Sequence, residues 1–425
     1  WCFWSCILIA CGVFFPWCFS VLIFKIERFE MKKIKKSVLY VIPGLNPLKK
    51  DGASNRCESF INCFADNGYD VTCLSLTIYK EYLSVLKQKS HLSVKAKWKI
   101  LPHLYFLDRY IKNIYVLFEK IYVWFLTVIN HYDYILADYA TGADIVSLAK
   151  NKSKIIINHR GDLVDEHCLN HSCSMECPSV KTLLRLIKKS VSVADYSITV
   201  SSALKRNIEE YTGIELKRNF VFPCCADLDR FSDDHRRDSR FKDRIVLGYF
   251  GGLSKWQCVD ELVDLAIALN KIDERYFLLV LTNSPISYIK PKLDLLGEQN
   301  YFVKAVGFAD MPKWISYMDV SFALRENRPL NIVSSPTKLS ESLATGVPVV
   351  VTRFSGDYND IITDGKTGVV LDGLDFSSKD ITKVHDFVCE SIRDRERTRI
   401  ICKQAVQDRT WRNFSSDFIN FIEES

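Results

Sequence analysis

The chain has 425 residues, of which 48% are hydrophobic, and its formal net charge is +6. This length and apolar content allow a large buried core and predict two domains. The charge is too small for a generally basic protein, so no nucleic-acid partner is expected. Fifteen cysteines, an odd number, argue against a disulfide framework and favour a reducing, cytoplasmic compartment.

The first 24 residues contain no charged side chain and are long enough to cross a bilayer. The first methionine is Met31, which begins the sequence MKKIKKSVLYVIPG. Two interpretations of residues 1–30 stay open: a signal anchor followed by Lys25 and Arg28, or translated sequence upstream of the working protein. In either case, we expect a protein that starts at Met31 to fold and to bind its ligand.

Short apolar segments alternate with amphipathic segments from Met31 onward. Buried strands are predicted at 37–43, 71–76, 132–138, 154–159 and 195–200. The segment KDGASNRCESFINCFADNGYDV predicts a glycine loop followed by a helix that stops at Gly68. Strands separated by helices predict an α/β fold with a doubly wound parallel sheet.

Segment 79–122 is a local basic region, with eight lysines and one arginine against three acidic residues. Aromatic and aliphatic residues lie among these lysines, a composition that suits the anionic surface of a membrane. We expect Lys95, Lys97 and Lys99 to take part in that contact, at the inner face of the membrane. The alternative interpretation is an ordinary covering helix with a solvated basic face.

Two further segments contain metal-ligand residue types. The stretch HCLNHSCSMEC, residues 167–177, matches no standard zinc finger or ribbon, so we predict a loop with free thiols. Asp227 and Asp229 fit an Asp-x-Asp signature by their letters alone. They follow a strand at the predicted hinge, so we interpret them as part of a turn and predict no metal.

A charged linker is predicted at 226–243, between an N-terminal domain at 31–225 and a C-terminal domain at 244–405. The second domain repeats the pattern of the first, with strands expected in RIVLGYFGG, YFLLVLT, YFVKAVGF, MDVSFAL, VPVVV and TGVVL. Residues 406–425 predict a helix that returns to the N-terminal domain. Two facing domains of this kind place the loops at the carboxyl ends of both sheets around one cleft.

The stretch SSPTKLSESLATGVPVV, residues 334–350, carries signals for both ends of a helix. Ser335 is a preferred N-cap, and Pro336 suits the first helical position. Gly346 can end the helix with a positive φ. Free N–H groups and the positive end of the helix dipole would then form an anion site at the helix start.

The helix predicted in this stretch has one apolar and one polar face. Leu339 and Leu343 form the apolar face at 100° per residue. The polar face contains Thr337, Lys338, Glu341 and Thr345. Glu341 lies one turn into the helix, where a carboxylate can accept hydrogen bonds from hydroxyl groups of whatever carries the anion.

The motifs, in this order, resemble those of the family 4 glycosyltransferases with the GT-B fold. The resemblance covers almost all of 31–420 and rests on DGASNR, NGYDV, ADYSITVSSALK, VFPCCADLDRF, YFGGLSKWQ, VGFADMPKWISYMD, SPTKLSESLATGVPVV and GKTGVVLD. Similar enzymes assemble bacterial surface polysaccharides by moving a sugar from a nucleotide-diphosphate donor to an acceptor. They usually retain the anomeric configuration and bind no metal. The resemblance therefore implies two Rossmann-like domains, a nucleotide-sugar donor, a glycan or lipid-linked acceptor and no cofactor.

The resemblance also implies roles within the 334–350 helix. Glu341 matches the second glutamate of the family's Glu-x7-Glu motif, which accepts hydrogen bonds from the ribose hydroxyls. The N–H groups of Thr337 and Lys338, just after Ser335, match those that hold the diphosphate, and the lysine amine lies beside the phosphates in one branch of the family. The first glutamate is replaced by Val333, near the position of the transferred sugar. A solvated helix face is the alternative for Glu341 and Lys338.

Three further matches lie beside the donor. Gly251 and Gly252 follow a strand and allow the backbone to approach phosphate closely. Lys255 is placed to offset the charge of the leaving group. His159, with Lys255 and Lys338, is predicted to be catalytic, because similar enzymes keep a histidine near the donor sugar. The alternative for His159 is a hydrogen-bonded structural histidine.

The acceptor side is expected to include the start of the first long helix. Gly52 and Ala53 match a loop that approaches the reacting centre, and Arg56 is predicted to meet an anionic acceptor. A nucleotide-sugar-binding protein that has lost transfer activity is the competing hypothesis, for which Val333 is the best argument. A nicotinamide dehydrogenase is disfavoured, because VIPGLNP lacks the Gly-x-Gly-x-x-Gly pattern.

Overall fold

The computed structural model describes residues 35–49, 52–103, 109–150, 152–231 and 238–424. Ser37–Ser425 form one compact unit built around two parallel sheets. The predictions for residues 1–30 lie outside the described residues. No helix in the described ranges has the length and apolar character that crossing a membrane requires.

The first sheet has seven strands in the order β3-β2-β1-β4-β5-β6-β7. Its strands are β1 (Ser37–Pro43), β2 (Asp70–Ile78), β3 (Ala96–His103), β4 (Tyr134–Asp138), β5 (Lys154–His159), β6 (Tyr196–Thr199) and β7 (Asn219–Val221). The second sheet has six strands in the order β10-β9-β8-β11-β12-β13. Its strands are β8 (Ile245–Phe250), β9 (Tyr276–Leu281), β10 (Tyr301–Lys304), β11 (Val320–Ala323), β12 (Val349–Thr352) and β13 (Gly368–Leu371).

Helices cover both faces of each sheet. They are α1 (Gly52–Asp66), α2 (Tyr79–Lys87), α3 (Arg109–Asn130), α4 (Tyr139–Val146), α5 (Leu163–His171), α6 (Pro178–Val193), α7 (Ser202–Thr212), α8 (Leu228–Phe231), α9 (Val259–Ile272), α10 (Lys290–Leu296), α11 (Met311–Ile315), α12 (Pro329–Ile332), α13 (Thr337–Ala344), α14 (Ser378–Arg393), α15 (Arg395–Ala405) and α16 (Trp411–Glu423). Parallel strands buried under helices on both sides account for the continuous apolar runs of the sequence. The predicted α/β architecture is confirmed.

Strand β3 is the main element that the sequence analysis missed. Segment 79–122 was expected to form a covering helix or a membrane surface throughout, yet Ala96–His103 pairs with β2 along eight residues. The sequence AKWKI alternates lysine with apolar residues, and this period of two indicates a strand at the edge of a sheet. Lys97 of this strand forms an ion pair with Asp70, and Lys95, just before the strand, forms one with Asp66.

The last helix, α16, packs on the first sheet although it follows the second one. Phe418 is buried against Phe64 and Phe222, with ring centroids 6.0 Å apart in both cases. The chain therefore passes between the two halves twice, once after β7 and once before α16. Each sheet reverses its strand order once, between β1 and β4 and between β8 and β11, and ligands of such folds bind beside these switch points.

Candidate active site

Helix α13 begins at Thr337, one residue later than the sequence predicted. Pro336 precedes the helix with a ψ of 116° and has no capping side chain. The predicted N-cap role of Ser335 is wrong, because its hydroxyl bonds elsewhere in the fold. Gly346 follows the helix with a φ of 81°, as predicted.

The first turn of α13 can bind an anion through its backbone. Among the described residues, no carbonyl accepts a hydrogen bond from the N–H groups of Thr337 and Lys338. Leu339 and Leu343 are fully buried, so the packed apolar face holds the helix in place. These N–H groups and the positive end of the helix dipole therefore favour a negatively charged ligand.

The side chain of Lys338 crosses to the end of β8. Its Nζ donates to Gln257 Oε1 at 2.6 Å and to Tyr249 Oη at 2.9 Å. The same amine lies 4.1 Å from the centroid of the Tyr249 ring. A Cβ atom at Gly251 would lie 2.7 Å from Lys338 Cε, so a larger residue would displace the end of the lysine side chain. The φ of Gly251, 124°, also favours glycine.

Arg325 joins this cluster from the end of β11, although the sequence analysis did not single it out. Its Nη2 donates to Gln257 Oε1 at 2.9 Å, so Arg325 and Lys338 share one amide oxygen. Its Nη1 donates to the Leu324 carbonyl at 2.7 Å. An arginine directly after an apolar strand was the available sequence signal, but its burial depends on the tertiary fold.

Arg325 is buried and Lys338 is half-buried, and the charge of Glu341 is the acidic one that acts on Lys338. Neither Arg325 nor Lys338 forms an ion pair with a carboxylate among the described residues. Burial, together with the positive charge of Arg325, holds the pKa of Lys338 well below its usual value. Burial also lowers the pKa of Arg325. Buried charges are usually paired, so this arrangement favours an anionic ligand between the end of β8 and α13.

Glu341 lies one turn beyond these cations, at the edge of the same cleft. Burial raises the pKa of Glu341 to about 7, although the charges of Arg230 and Lys338 act in the opposite direction. The Arg230 guanidinium stacks on Phe308, with its central carbon 3.2 Å from the ring centroid. Glu341 has no hydrogen-bond partner of its own among the described side chains, so its oxygens are available to ligand hydroxyls.

Gly252 and Lys255, the other two predicted residues of the loop after β8, lie closer to solvent. Gly252 is exposed, and a Cβ there would lie 3.9 Å from Ser284 Oγ. Lys255 begins a short 3-10 turn, is exposed, and forms no ion pair within the described ranges. The structure therefore places Lys255 on the same loop as Gly251 but outside the buried cluster.

His159 ends β5 in the first sheet and is buried. Burial lowers the pKa of His159 to about 4, so the imidazole is neutral at pH 7. Its Nε2 has no hydrogen-bond partner among the described residues. A neutral ring of this kind can orient a hydroxyl but cannot supply a positive charge.

Arg160, the residue after His159, belongs to a buried polar network. It forms an ion pair with Asp138 and donates to Tyr40 Oη at 3.0 Å. Asn158 Nδ2 donates to the other oxygen of Asp138 at 2.7 Å. This network fixes the carboxyl ends of β1, β4 and β5, where the first half of the protein lines the cleft.

The predicted acceptor residues lie at the start of α1. Gly52 and Ala53 form its first turn rather than a loop. Arg56 is buried and donates to the Phe222 carbonyl at 3.2 Å. Its guanidinium also stacks near Trp411, 5.7 Å from the ring centroid. These contacts favour a structural role for Arg56, since its charge points into the protein.

Val333 stands where the resemblance expects a glutamate, and it lies at the contact between the two halves. It is buried in an apolar cluster with Val164. Its carbonyl accepts a hydrogen bond from Ser201 Oγ at 2.7 Å. Nearby, Arg328 donates to both oxygens of Asp165, at 2.9 and 3.0 Å. The segment before α13 is therefore held against the first half of the protein.

Ser335 lies in a polar cluster with Cys224, Asp357 and Arg409, which we call the hinge clasp. The cluster joins the start of α13 to the two segments, after β7 and before α16, in which the chain passes between the halves. Its hydroxyl donates to Asp357 at 2.7 Å and accepts from the Cys224 N–H at 2.8 Å and from Arg409 at 2.9 Å. Arg409 also forms a buried ion pair with Asp357. Ser340 Oγ, on α13 itself, donates to the Cys224 carbonyl at 3.1 Å. Ser335 thus positions the helix start instead of facing the cleft.

The segments with metal-ligand residue types do not form a metal site in the described ranges. The 167–177 segment is not only a loop, because α5 extends to His171. Cys168, Cys173 and Cys177 are free thiols, as predicted. Asp227 accepts a hydrogen bond from the Arg230 N–H at 3.3 Å, which fits its interpretation as part of a turn.

Comparison with known proteins gives a match to one family model. Residues 244–385 match the family described as Glycosyl transferases group 1. An uncharacterized glycosyltransferase of Methanocaldococcus jannaschii is 22% identical over 362 residues, which cover 80% of this chain and 86% of that protein.

Solved structures match the fold over almost the whole chain. The Anabaena protein HepE, solved in complex with UDP, is 15% identical with a TM-score of 0.67, and the match covers 92% of this chain and 100% of HepE. A sucrose-phosphate synthase from Thermosynechococcus elongatus is 12% identical with a TM-score of 0.70, covering 92% and 99% of the two chains. At these identities, the likeness establishes the fold.

The fold and the matches define a glycosyltransferase with the GT-B architecture. The second half of the chain is similar to the family Glycosyl transferases group 1, whose model matches residues 244–385. Both sequence-based expectations, the GT-B fold and glycosyltransferase activity, are confirmed. Assignment to family 4 in particular stays a prediction.

Proposed function

We propose that the protein transfers a sugar from a nucleoside-diphosphate sugar to a glycan or lipid-linked acceptor. The observation that carries this proposal is the pair of cations Arg325 and Lys338, which share Gln257 Oε1 and form no ion pair with a carboxylate among the described residues. A diphosphate placed between them and the first turn of α13 would supply the missing negative charge. HepE, a protein of the same fold, was solved with UDP and with UDP-glucose.

The proposed donor site gives each group a distinct task. The Thr337 and Lys338 N–H groups and the two cations hold the diphosphate and stabilise the charge that develops on the leaving group. Glu341 accepts hydrogen bonds from the ribose hydroxyls. Lys255, on the exposed loop, approaches the phosphates when the donor is bound. His159, which is neutral, orients a hydroxyl of the transferred sugar.

Three finer parts of the proposal rest on the resemblance of the sequence motifs. They are retention of the anomeric configuration, a place in surface polysaccharide synthesis, and independence from metal ions and cofactors. The arrangement supports the last point, because Arg325 and Lys338 provide the positive charge that a metal would otherwise bring to a diphosphate. We further propose that the acceptor is reached at an anionic membrane surface.

A panel of nucleotide sugars tests the proposal. A donor that binds the native state should raise the melting temperature. The protein should then release the nucleoside diphosphate from this donor, either by transfer to an acceptor glycan or by slow hydrolysis. The Lys338→Met variant should lose both effects, whereas Lys366→Met, on an exposed loop, should keep them. Failure of every nucleotide sugar to bind would contradict the proposal.

One observation favours a second candidate, a nucleotide-sugar-binding protein without transfer activity. Val333 replaces a carboxylate that similar enzymes keep near the transferred sugar, and its side chain packs in an apolar cluster. Donor binding without hydrolysis or transfer would support this alternative.

A further inference from the structure

Helix α2 carries apolar side chains on its solvent-exposed face. Tyr79, Leu83 and Leu86 are between 45% and 63% exposed. At 100° per residue they fall within about 60° of one another, so they form one stripe. Among the residues of α2, only Val85 is buried. An apolar stripe that faces water is unfavourable for an isolated protein and indicates a partner.

Helix α3 carries a second exposed stripe of the same kind. Leu117, Ile121, Trp124 and Val128 are between 37% and 52% exposed. Their spacing of four, three and four residues places them on one face, along about 16 Å of helix. The opposite face packs on the first sheet through residues such as Val123, which is fully buried. The helix is therefore apolar both towards the core and towards solvent.

The two helices are both held on β3. The Tyr115 hydroxyl of α3 donates to the Pro102 carbonyl of β3. On α2, Val85 is buried in a cluster with Ile100 of β3, and Tyr82 packs against that cluster. Helix α2 starts directly after β2, at the edge of the first sheet that faces the cleft.

Free positive charges flank the stripe on α2. Lys80 and Lys87 lie about 120° and 100° around the helix from Leu86, on the same side of the stripe, and Lys89 follows the helix end. All three lysines are exposed and have no acidic partner among the described residues. By contrast, Lys95 is already paired with Asp66. The basic contact therefore differs from the sequence-based prediction, which used Lys95, Lys97 and Lys99.

From this pattern we infer that the exposed stripes of α2 and α3 dock on an anionic lipid membrane. Aromatic and aliphatic side chains beside free lysines match what an anionic lipid interface binds. A second copy of the chain is a poorer occupant, because a symmetric contact would bring Lys80 and Lys87 towards their own counterparts. The membrane contact itself does not depend on the proposed function. Only its role, which is to bring a lipid-linked acceptor to the cleft, rests on that function.

Site-specific photocrosslinking in the full chain tests the inference. Leu83→p-benzoylphenylalanine and Ile121→p-benzoylphenylalanine should each form adducts with phosphatidylglycerol in vesicles, and several-fold fewer in phosphatidylcholine vesicles or high salt. Leu295 on α10 is 77% exposed and provides the control position. Because adducts form only where the label touches lipid, membrane attachment through another segment would not produce this difference. Equal adducts at Leu295, adducts with a second chain, or no adducts would each overturn the inference.

A second set of variants separates this inference from the proposed function. Lys80→Gln with Lys87→Gln should lower the lipid adducts at position 83 several-fold, since both charges are removed from the interface. Binding of UDP and of nucleotide sugars in solution should stay at the wild-type level. Lipid adducts without any nucleotide binding would contradict the proposed function alone. Undiminished adducts in the charge-free variant would contradict the electrostatic part of the inference.

Discussion

A Cβ atom at Gly251 would lie 2.7 Å from Cε of Lys338, so the glycine after β8 and the lysine of α13 depend on each other. The Gly251→Ala variant should displace the Lys338 amine. The loss of one charge-assisted hydrogen bond, on the order of 1.5–3 kcal/mol, corresponds to a fall in kcat/KM for the donor of about 10- to 150-fold.

A glycine outside the candidate site provides the control for this prediction. A Cβ at Gly373 would meet no heavy atom within 4 Å. Gly373→Ala should therefore keep wild-type donor kinetics, measured beside Gly251→Ala with a nucleotide sugar that binds. Equal kinetics for both variants would mean that Lys338 does not act where the structure places it.

The Lys338 side chain should lower the stability of the folded protein while it supports transfer from the donor. Since the pKa of Lys338 is lowered in the folded protein, folding disfavours its charged form at neutral pH. Lys338→Met keeps an unbranched side chain but removes the charge, so its melting temperature at pH 7 should equal or exceed that of the wild type. Its kcat/KM for the donor should fall about 100-fold.

Lys255→Met is the matched variant for that experiment. Lys255 is exposed, so its replacement should leave the melting temperature unchanged. A clear loss of stability in Lys338→Met would show that the lysine is structural. A loss of activity in Lys255→Met at unchanged stability would support its predicted role beside the leaving group.

The pH dependence of donor use should follow Glu341. Burial raises its pKa to about 7, and in the proposed donor site the ionised form accepts the ribose hydrogen bonds, so kcat/KM should rise with pH through about 7. Glu341→Gln should have lower activity and lose this rise. His159 has a pKa of about 4 and stays neutral over this range, so it does not account for the same transition.

The raised pKa of Glu341 also affects stability. In the unfolded chain this carboxyl ionises near pH 4.5, whereas in the folded protein it stays protonated up to about pH 7. Unfolding therefore releases a proton between these values, and this group lowers stability as the pH rises from about 4.5 to about 7. Melting temperatures of the wild type and Glu341→Gln should diverge over that range, with the variant higher above pH 7. If the melting temperatures of the two proteins changed in parallel with pH, the result would contradict the burial of this carboxylate.

The hinge clasp predicts strong coupling between Arg409 and Asp357. Both side chains are buried, so Arg409→Gln alone should cost about 3–5 kcal/mol of unfolding free energy, since Asp357 loses its cation. Asp357→Asn alone should cost less, because Asp360 still lies 3.7 Å from Arg409. The double variant should cost less than the sum of the two. The exposed pair Arg353 and Asp372 is the control, where Arg353→Gln should cost less than about 1 kcal/mol.

Denaturant unfolding of the four proteins in this cycle measures the coupling. Additive effects would contradict a direct pair. Because the clasp also binds Ser335, just before α13, the single variants should weaken donor binding as well.

The sequence predicted the elements whose signals are local. The buried strands stand out as short apolar runs, and Gly346 marks the end of α13 without help from the rest of the fold. The placement of Glu341 one turn after Lys338 follows from helical spacing alone. These features depend on the backbone and on neighbours within one or two turns.

The contacts that the sequence did not predict join distant residues. Ser335 has the residue type of an N-cap, but its hydroxyl forms hydrogen bonds with Asp357 and Arg409, which are 22 and 74 residues away. Arg56 lies at a helix start, yet the Phe222 carbonyl, 166 residues away, binds its guanidinium. Arg325 follows an ordinary apolar strand, and only the folded protein brings it to Gln257.

Calorimetric titration can show whether the start of α13 binds a nucleoside diphosphate. UDP, ADP and GDP should be titrated into the wild type, Glu341→Ala and the surface control Glu390→Ala. At least one should bind the wild type and the control alike, and bind Glu341→Ala about 100-fold more weakly, which corresponds to roughly 3 kcal/mol for two charge-assisted hydrogen bonds. The melting temperature of Glu341→Ala should not fall. Equal affinity of Glu341→Ala and wild type, or no binding of any diphosphate, would contradict the account.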